Sequence, residues 1–320
     1  MVRLQEKYIV DPKLRKIKPK ESLLKSIIVN KYLYLLLLPG IIYLFIFNYI
    51  PMYGIVIAFK EYNIFEPISK SPWVKFLQFE RLFRNPDYIR TIRNTLLISV
   101  YKMIWGFPAP IILSLLLNEL RNKYFKKFSQ TVLYLPHFIS WVIFAGLITT
   151  FLNPSTGVIN DLIVELGGTK IDFLADPKKF RSILVISELY KGMGWGTIVY
   201  LAAISALDST IYEAAIVDGA NRFKQIQYIT LPGIKSVMVI LFILNLGNIL
   251  NAGFDQVFLL YNPLVYEVGD IIDTFVYRKG IVDTNYSLAA AAGLFKNVVA
   301  LVLIVAANYT VKLFGEEGLW

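Results

Sequence analysis

Six stretches of this chain, at about Tyr32 to Ala58, Thr91 to Asn118, Thr131 to Asn153, Ser182 to Leu207, Ile234 to Leu260 and Ala289 to Phe314, are long and almost wholly apolar. A helix needs roughly 20 such residues to cross the hydrocarbon of a bilayer, where each backbone polar group must find its partner inside the segment. The pattern predicts an all-α membrane protein with six transmembrane helices. Composition agrees, since a chain of 320 residues that is 56% hydrophobic and only 18% charged is too apolar for a soluble domain of this length.

The formal net charge of +10 could suggest nucleic acid as a partner. The cations, however, gather in short segments beside apolar runs, which points to membrane lipid and topology and not to nucleic acid. Residues 1–31 form a basic tail carrying nine Lys or Arg (Arg3, Lys7, Lys13, Arg15, Lys16, Lys18, Lys20, Lys25, Lys31), and the loop Glu119 to Gln130 carries four more (Arg121, Lys123, Lys126, Lys127). Positive charge stays inside, so both segments are expected in the cytoplasm. Both termini are then cytoplasmic, the short tail 315–320 included, and the loops Phe59 to Arg90, Pro154 to Arg181 and Tyr261 to Leu288 face outward. The chain holds no cysteine and one histidine, His137, which excludes disulfides, thiolate chemistry and histidine-cluster metal sites. No removable signal peptide is expected, because the charged first thirty residues lack an apolar core followed by a small-residue cleavage site.

This topology leaves Asp208 to Gly233 in the cytoplasm, between the fourth and fifth spans. Thr210, with Glu213 three residues on, reads as a capping box that starts a helix at Ile211. Ala214, Ala215, Gly219 and Ala220 offer little side-chain bulk, Ile216, Phe223, Ile226 and Ile229 supply apolar grip, and Pro232 is expected to end the element. The residues alone fit two readings equally: a helix docking onto a cytoplasmic partner, or one lying in the lipid interface.

The same segment resembles a known family. Glu213-Ala214-Ala215, three residues, Gly219, nine residues, Ile229 and then Leu231-Pro232 match the EAA loop of ABC importer permeases without adjustment of spacing. NYIPMYGIVIAFKEYN in the first span, RNTLLIS, YLPHFISWV, GLFKNVVALVLIVAANY and the terminal GLW are similar to the carbohydrate-importing branch, in particular to permeases for complex oligosaccharides from plant or algal polysaccharides. The resemblance implies a type I ABC importer permease (MetI-like) fold for residues 32–314 in the bacterial cytoplasmic (inner) membrane. It implies as partners a second homologous permease, two ATPase subunits, an extracellular solute-binding protein and an oligosaccharide substrate. By the same resemblance Glu213 contacts a cation of the ATPase, Ala214, Ala215 and Gly219 form a close-packing surface, and Asp218, Leu231 and Pro232 frame it. No cofactor is expected on this chain, and ATP and Mg belong to the partner ATPases. Consistently, the sequence has no G-x-x-x-x-G-K-[ST] phosphate loop, and the glycine-rich GMGWG at Gly192 to Gly196 lies inside an apolar span.

Polar groups inside a membrane are costly and tend to face a cavity or a partner helix. Glu188, Lys191 and Trp195 fall on one helical face of the fourth span, with Tyr190 beside them, and Asn248, Asn251 and Asp255 fall on one face of the fifth, with Asn245 and Gln256 nearby. Carboxylates, amides, cations and aromatic rings are what sugar recognition uses, so both stripes are candidates for the substrate pathway. Equally, Glu188 and Lys191 can neutralise each other at i, i+3, and asparagines can act as interhelical glue. Lys102 and Lys296 are expected to pair with helix partners or to snorkel, and His137 to be a packed structural residue or a gating contact. Trp73, Tyr88, Tyr261 and Tyr266 could anchor at the interface or meet the binding protein. An ion-coupled secondary sugar transporter would also explain the intramembrane acids, but it calls for more spans or an internal repeat. A membrane-embedded glycosyl transferase would need clustered acids on a loop, which are lacking.

Overall fold

The computed structural model describes residues 29–313. Most of the basic tail, Phe314 at the end of the sixth run and the terminal residues 315–320 therefore lie outside the described residues. Among those described there is no β-strand, only an isolated antiparallel bridge between Lys60 and Trp73. Three helices are long and apolar enough to cross a membrane unaided: α1 (Lys31–Phe59), the run Pro86–Glu119 made of α3 (Pro86–Gly106) and α4 (Pro108–Glu119), and α15 (Tyr286–Leu313). Three further pairs pass together but are bent, giving up to six spans by length and composition. The short α2 (Leu77–Arg84) precedes α3.

The chain divides into two units, residues 1–54 and residues 55–320. The described part of the first is helical through a π-turn at Phe45–Tyr49, and the run narrows to a 3-10 helix from Ile50. Pro51, having no N–H and a ring that crowds the carbonyl of the preceding turn, explains the change of winding. The same device recurs in the second unit, where a π-turn at Ile226–Thr230 ends two residues before Pro232. Pro232 thus lies next to the end of its helical run, which stops at Gly233 and bends by 61° into the following helix.

In the second unit the longest helix is α8 (Pro177–Ser205), capped at its start by Asp176, whose carboxylate accepts from the N–H of Lys178. It packs against α3, α4 and α5 (Lys123–Phe138). At Gly194 the approach is so close that a Cβ would lie 1.9 Å from the carbonyl oxygen of Leu133, and at Gly196 it would lie 2.9 Å from the Pro110 ring, so these two glycines of GMGWG serve helix packing, whereas Gly192 faces open space. The apolar core forms several clusters, one of which joins Ile98, Ala145, Phe180, Leu184 and Val257 from four different helices with Ala252 from a non-helical segment.

Two expected spans are not single helices. The third consists of α5 and α6 (Trp141–Phe151), which meet at 99° across Ile139 and Ser140. Ser140 caps the new helix by accepting from the N–H of Ile143. The fifth stops at Gly247, where α11 (Lys235–Gly247) ends, and resumes as α12 (Phe254–Leu260) only after Gly253, which adopts φ +89°. Asn248, Asn251 and Asp255 therefore share no helical face, because the chain between them is unwound.

Near the segment 261–288 a polar hub ties elements together. Asn94, fully buried on α3, donates to the carbonyls of Glu267 (3.0 Å) and Asp270 (3.1 Å) and accepts from Arg181 (2.8 Å). The carboxylate of Asp270, also fully buried, is held by Arg278 at 2.6 Å. Burial works against the charge on Arg278, but the bond to Asp270 outweighs it and raises the guanidinium pKa. Tyr88 is buried against Phe275 at 5.3 Å and so cannot be a surface anchor, unlike Trp73, which is exposed. Removing the Asn94 side chain leaves two carbonyls and a guanidinium short of partners in a dry site. Asn94→Ala is expected to cost about 2–4 kcal/mol, measured as a fall of several degrees in the thermal midpoint of the detergent-solubilised protein. An unchanged midpoint would show that the hub carries no load.

Candidate functional site

Two regions hold the residues singled out from the sequence. The first is a cavity of about 600 Å³ bounded by α3, α4, α8, α11 and the unwound segment after it, with Trp141 from the start of α6. Glu188 and Trp195 line it from α8, and Asn245, Asn248 and Asn251 line it from the fifth span. Among the described residues, Lys102 and Glu188 are the only charged side chains on its wall.

The other four candidates are placed elsewhere. Lys191 is buried and does not pair with Glu188: its ammonium donates to the carbonyls of Pro136 (3.1 Å), His137 (2.9 Å) and Ile139, the end of α5 at the bend. It also sits 5.5 Å from the Trp141 ring. The freed carbonyls of a broken helix outcompete a carboxylate one turn away: His137 and Ile139 are left without a helical donor at the bend, while Pro136 also accepts from the N–H of Ile139 (3.3 Å). Tyr190 stacks on Phe144 at 6.0 Å. Gln256 is fully buried, donating to the carbonyl of Leu184 (2.8 Å) and the hydroxyl of Ser187 (2.6 Å). Asp255 is exposed and absent from the cavity wall.

Lys102 is the residue whose role was not legible beforehand. Its ammonium donates to the carbonyl of Ala252 (2.7 Å), to Gln256 Oε1 and to Glu188 (3.3 Å), so it occupies the break in the fifth span. A Cβ on Gly253 would lie 2.9 Å from that ammonium, so glycine is needed there both for the left-handed backbone and for space. Lys296 likewise finds a helix partner, Asp273, at 2.6 Å. His137, an exposed residue that is not on the cavity wall, stacks face to face on Trp195, with centroids 4.5 Å apart and planes 3° off parallel.

The second region is the loop 208–233. It is two helices, not one: α9 (Ser209–Val217) and α10 (Arg222–Gly233), the first bent 72° from α8 and the second 61° from α11. Asp208, not Thr210, is the cap of α9, accepting from the N–H of Thr210 at 2.9 Å. That bond, with help from the Thr210 side chain, holds the Asp208 carboxyl below its usual pKa, so its contribution to stability is present above the carboxylate range and fades as pH falls through it.

The helix ends in a Schellman motif: Ala220 N–H bonds the carbonyl of Ala215 (2.8 Å) and Gly219 N–H that of Ile216 (3.0 Å), with Gly219 at φ +75°. No atom lies within 4 Å of the position a Gly219 Cβ would take. Within this chain the glycine is therefore required by backbone conformation, not by crowding. Asn221 caps α10, Tyr212 Oη meets Thr230 Oγ1 at 2.8 Å, and Arg222 reaches Glu119 at the end of α4 at 2.8 Å. Glu213 and Asp218 are exposed, Ala214 is exposed and Ala215 half-buried, while Ile216, Val217, Phe223 and Tyr228 present apolar surface outward.

Comparison with known proteins decides what these regions belong to. Residues 106–314, most of the chain and all of both regions apart from Ser99 to Met103, match the family of binding-protein-dependent transport system inner membrane components. The chain belongs to that family. Protein LplB of Bacillus subtilis (strain 168) is 48% identical over 91% of this chain and 92% of its own. The polygalacturonan/rhamnogalacturonan transport system permease protein YteP of the same organism is 47% identical over 97% of each. A solved bacterial ABC transporter involved in import of the acidic polysaccharide alginate contains a chain that superposes with TM-score 0.85 at 44% identity, over 91% of this chain and 98% of that one. The alginate transporter bound to a periplasmic protein carrying an alginate pentasaccharide gives TM-score 0.86 at 43% identity, over 93% and 99%. This permease is thus a non-catalytic inner membrane subunit of an ABC transporter, and the sequence resemblance to such permeases holds.

If Gly219 acts through its left-handed conformation, Gly219→Asn is expected to preserve the loop better than Gly219→Ala, which should cost about 1 kcal/mol, and both better than Gly219→Val. Hydrogen exchange of amides 209–225 should rank the variants in that order. Equal protection in all of them would contradict the assignment.

Proposed function

We propose that this permease passes an oligosaccharide from an extracellular binding protein into the cytoplasm, and that partner ATPases drive it by gripping loop 208–233. The observation that carries the reading is the outward-facing surface of that loop. Two short helices with well-satisfied caps project exposed Ile216, Val217, Phe223 and Tyr228 around a carboxylate, Glu213, that has no ion-pair or hydrogen-bond partner among the described residues. Exposed apolar surface rimmed by charge on a cytoplasmic loop suits a protein partner. In this reading Glu213 meets a cation of the ATPase, Ala214 and Ala215 allow close approach, and Asp218, Gly219, Leu231 and Pro232 keep the geometry. ATP and Mg bind in the ATPases.

The cavity and the loop are joined by the same two helices. Glu188 and Trp195 sit on α8, which continues across a bend into α9, while α10 leads across its own bend into α11 and on to Asn248 and Asn251. Closure of the ATPases on the loop would therefore bias the cavity between inward-open and outward-open arrangements, which is how differential contact with two states becomes transport. Carboxylate, amides and the indoles of Trp141 and Trp195 give the cavity the chemistry to take a hydroxyl-rich chain, and the names of the relatives favour an oligosaccharide cargo without fixing its charge. Six spans with both termini cytoplasmic complete the proposal. A secondary transporter would leave the loop surface without a use.

The test uses the assembled transporter with its second permease, ATPases and binding protein in liposomes. Glu213→Arg should abolish binding-protein-stimulated ATP hydrolysis and sugar uptake while leaving membrane insertion intact, and undiminished uptake would refute the coupling role. Because the natural chain lacks cysteine, Lys224→Cys gives a single label, which should react with a membrane-impermeant maleimide only from the cytoplasmic face. Labelling from outside would reverse the topology.

A further inference from the structure

The charge on the cavity wall comes from one unequal pair. The Lys102 side chain is only 11% exposed and is saturated by three acceptors, whereas the Glu188 side chain is 41% exposed and is held by Lys102 alone at 3.3 Å. The remaining polar groups on the wall are neutral: Asn245, Asn248, Asn251, Ser99 and Tyr200. A passing solute therefore meets a carboxylate and amides, with the balancing cation set behind them.

We propose that the Lys102–Glu188 pair is a charge selector of the sugar pathway, with Glu188 accepting from neutral hydroxyls and holding uronate carboxylates away from Lys102. This deepens the oligosaccharide reading and rests on it. The physical argument is competition for a single cation. Two carboxylates approaching one ammonium repel each other, and the covalently held one has the advantage of position. A sugar hydroxyl can donate to Glu188 without such a penalty. Neutralising Glu188 removes the competing charge, so that the Lys102 cation, still held by Ala252 and Gln256, attracts an acidic cargo. Removing Lys102 leaves the carboxylate uncompensated and should make the wall still less tolerant of negative charge.

The experiment compares uptake of trigalacturonate with that of its carboxyl-reduced, neutral counterpart by the complete transporter in liposomes, using one saturating binding protein throughout so that only the permease varies. Glu188→Gln, nearly isosteric, should raise the acidic-to-neutral uptake ratio by about tenfold. Lys102→Met should lower it, and the double variant Lys102→Met with Glu188→Gln should return it toward that of the unmodified chain. Should Lys102→Met fail to assemble because the break in the fifth span loses its donor, Glu188→Gln and the double variant still decide the matter. A ratio within about twofold of the original in Glu188→Gln, or a shift of both single variants in one direction, would overturn the selector while leaving the oligosaccharide reading intact. Uptake of neither sugar by the unmodified transporter would overturn the oligosaccharide reading and the selector with it.

Discussion

Wherever a membrane-spanning helix breaks, carbonyls lose their intrahelical donors in a place where water cannot replace them. In this permease each of the two breaks in the third and fifth spans is met by a lysine from another helix. Lys191 of α8 takes the carbonyls of Pro136, His137 and Ile139, and Lys102 of α3 takes that of Ala252. An ammonium with three donors suits an unwound turn better than a neutral group, since a charge-assisted bond is worth about twice a neutral one. Removing such a donor leaves several acceptors unmet at once.

The breaks in turn make the cavity. An unbroken fifth helix would carry Asn248 and Asn251 on a regular face and leave no unwound segment beside Glu188, while a straight third span would carry Trp141 away from α8. His137 stacks on Trp195, and Gln256, bridging Leu184, Ser187 and Lys102, holds the wall from behind. Structural and cavity-lining positions are thereby divided among residues close in sequence: Glu188 lines the cavity, Lys191 closes a helix end, and Tyr190 packs on Phe144.

The existence of the apolar segments was legible because length and hydropathy alone mark them, and the EAA loop because its spacing leaves little freedom. The breaks were not. Asn248 to Gly253 reads as polar positions within a long apolar run, and nothing local shows that Gly253 will take a left-handed conformation instead of packing closely. Periodicity therefore placed Asp255 on a face that does not exist and put Gln256 near the sugar when it is a buried brace. Glu188 and Lys191 at i, i+3 looked self-sufficient, since the carbonyls that capture Lys191 lie more than fifty residues away in sequence. In the loop, Asp208 displaced Thr210 as cap, the side chain nearer the helix start having the better reach to the first free N–H groups.

The most direct test of this account is Lys191→Met in the assembled transporter, where shape is nearly kept and the donor is lost. Two carbonyls, those of His137 and Ile139, left without the ammonium should cost about 2–5 kcal/mol, so the thermal midpoint should fall by several degrees and uptake should fail even where ATP is still hydrolysed. A Lys191→Met transporter with the midpoint and uptake of the unmodified protein would contradict the claim that buried lysines hold the broken spans in place.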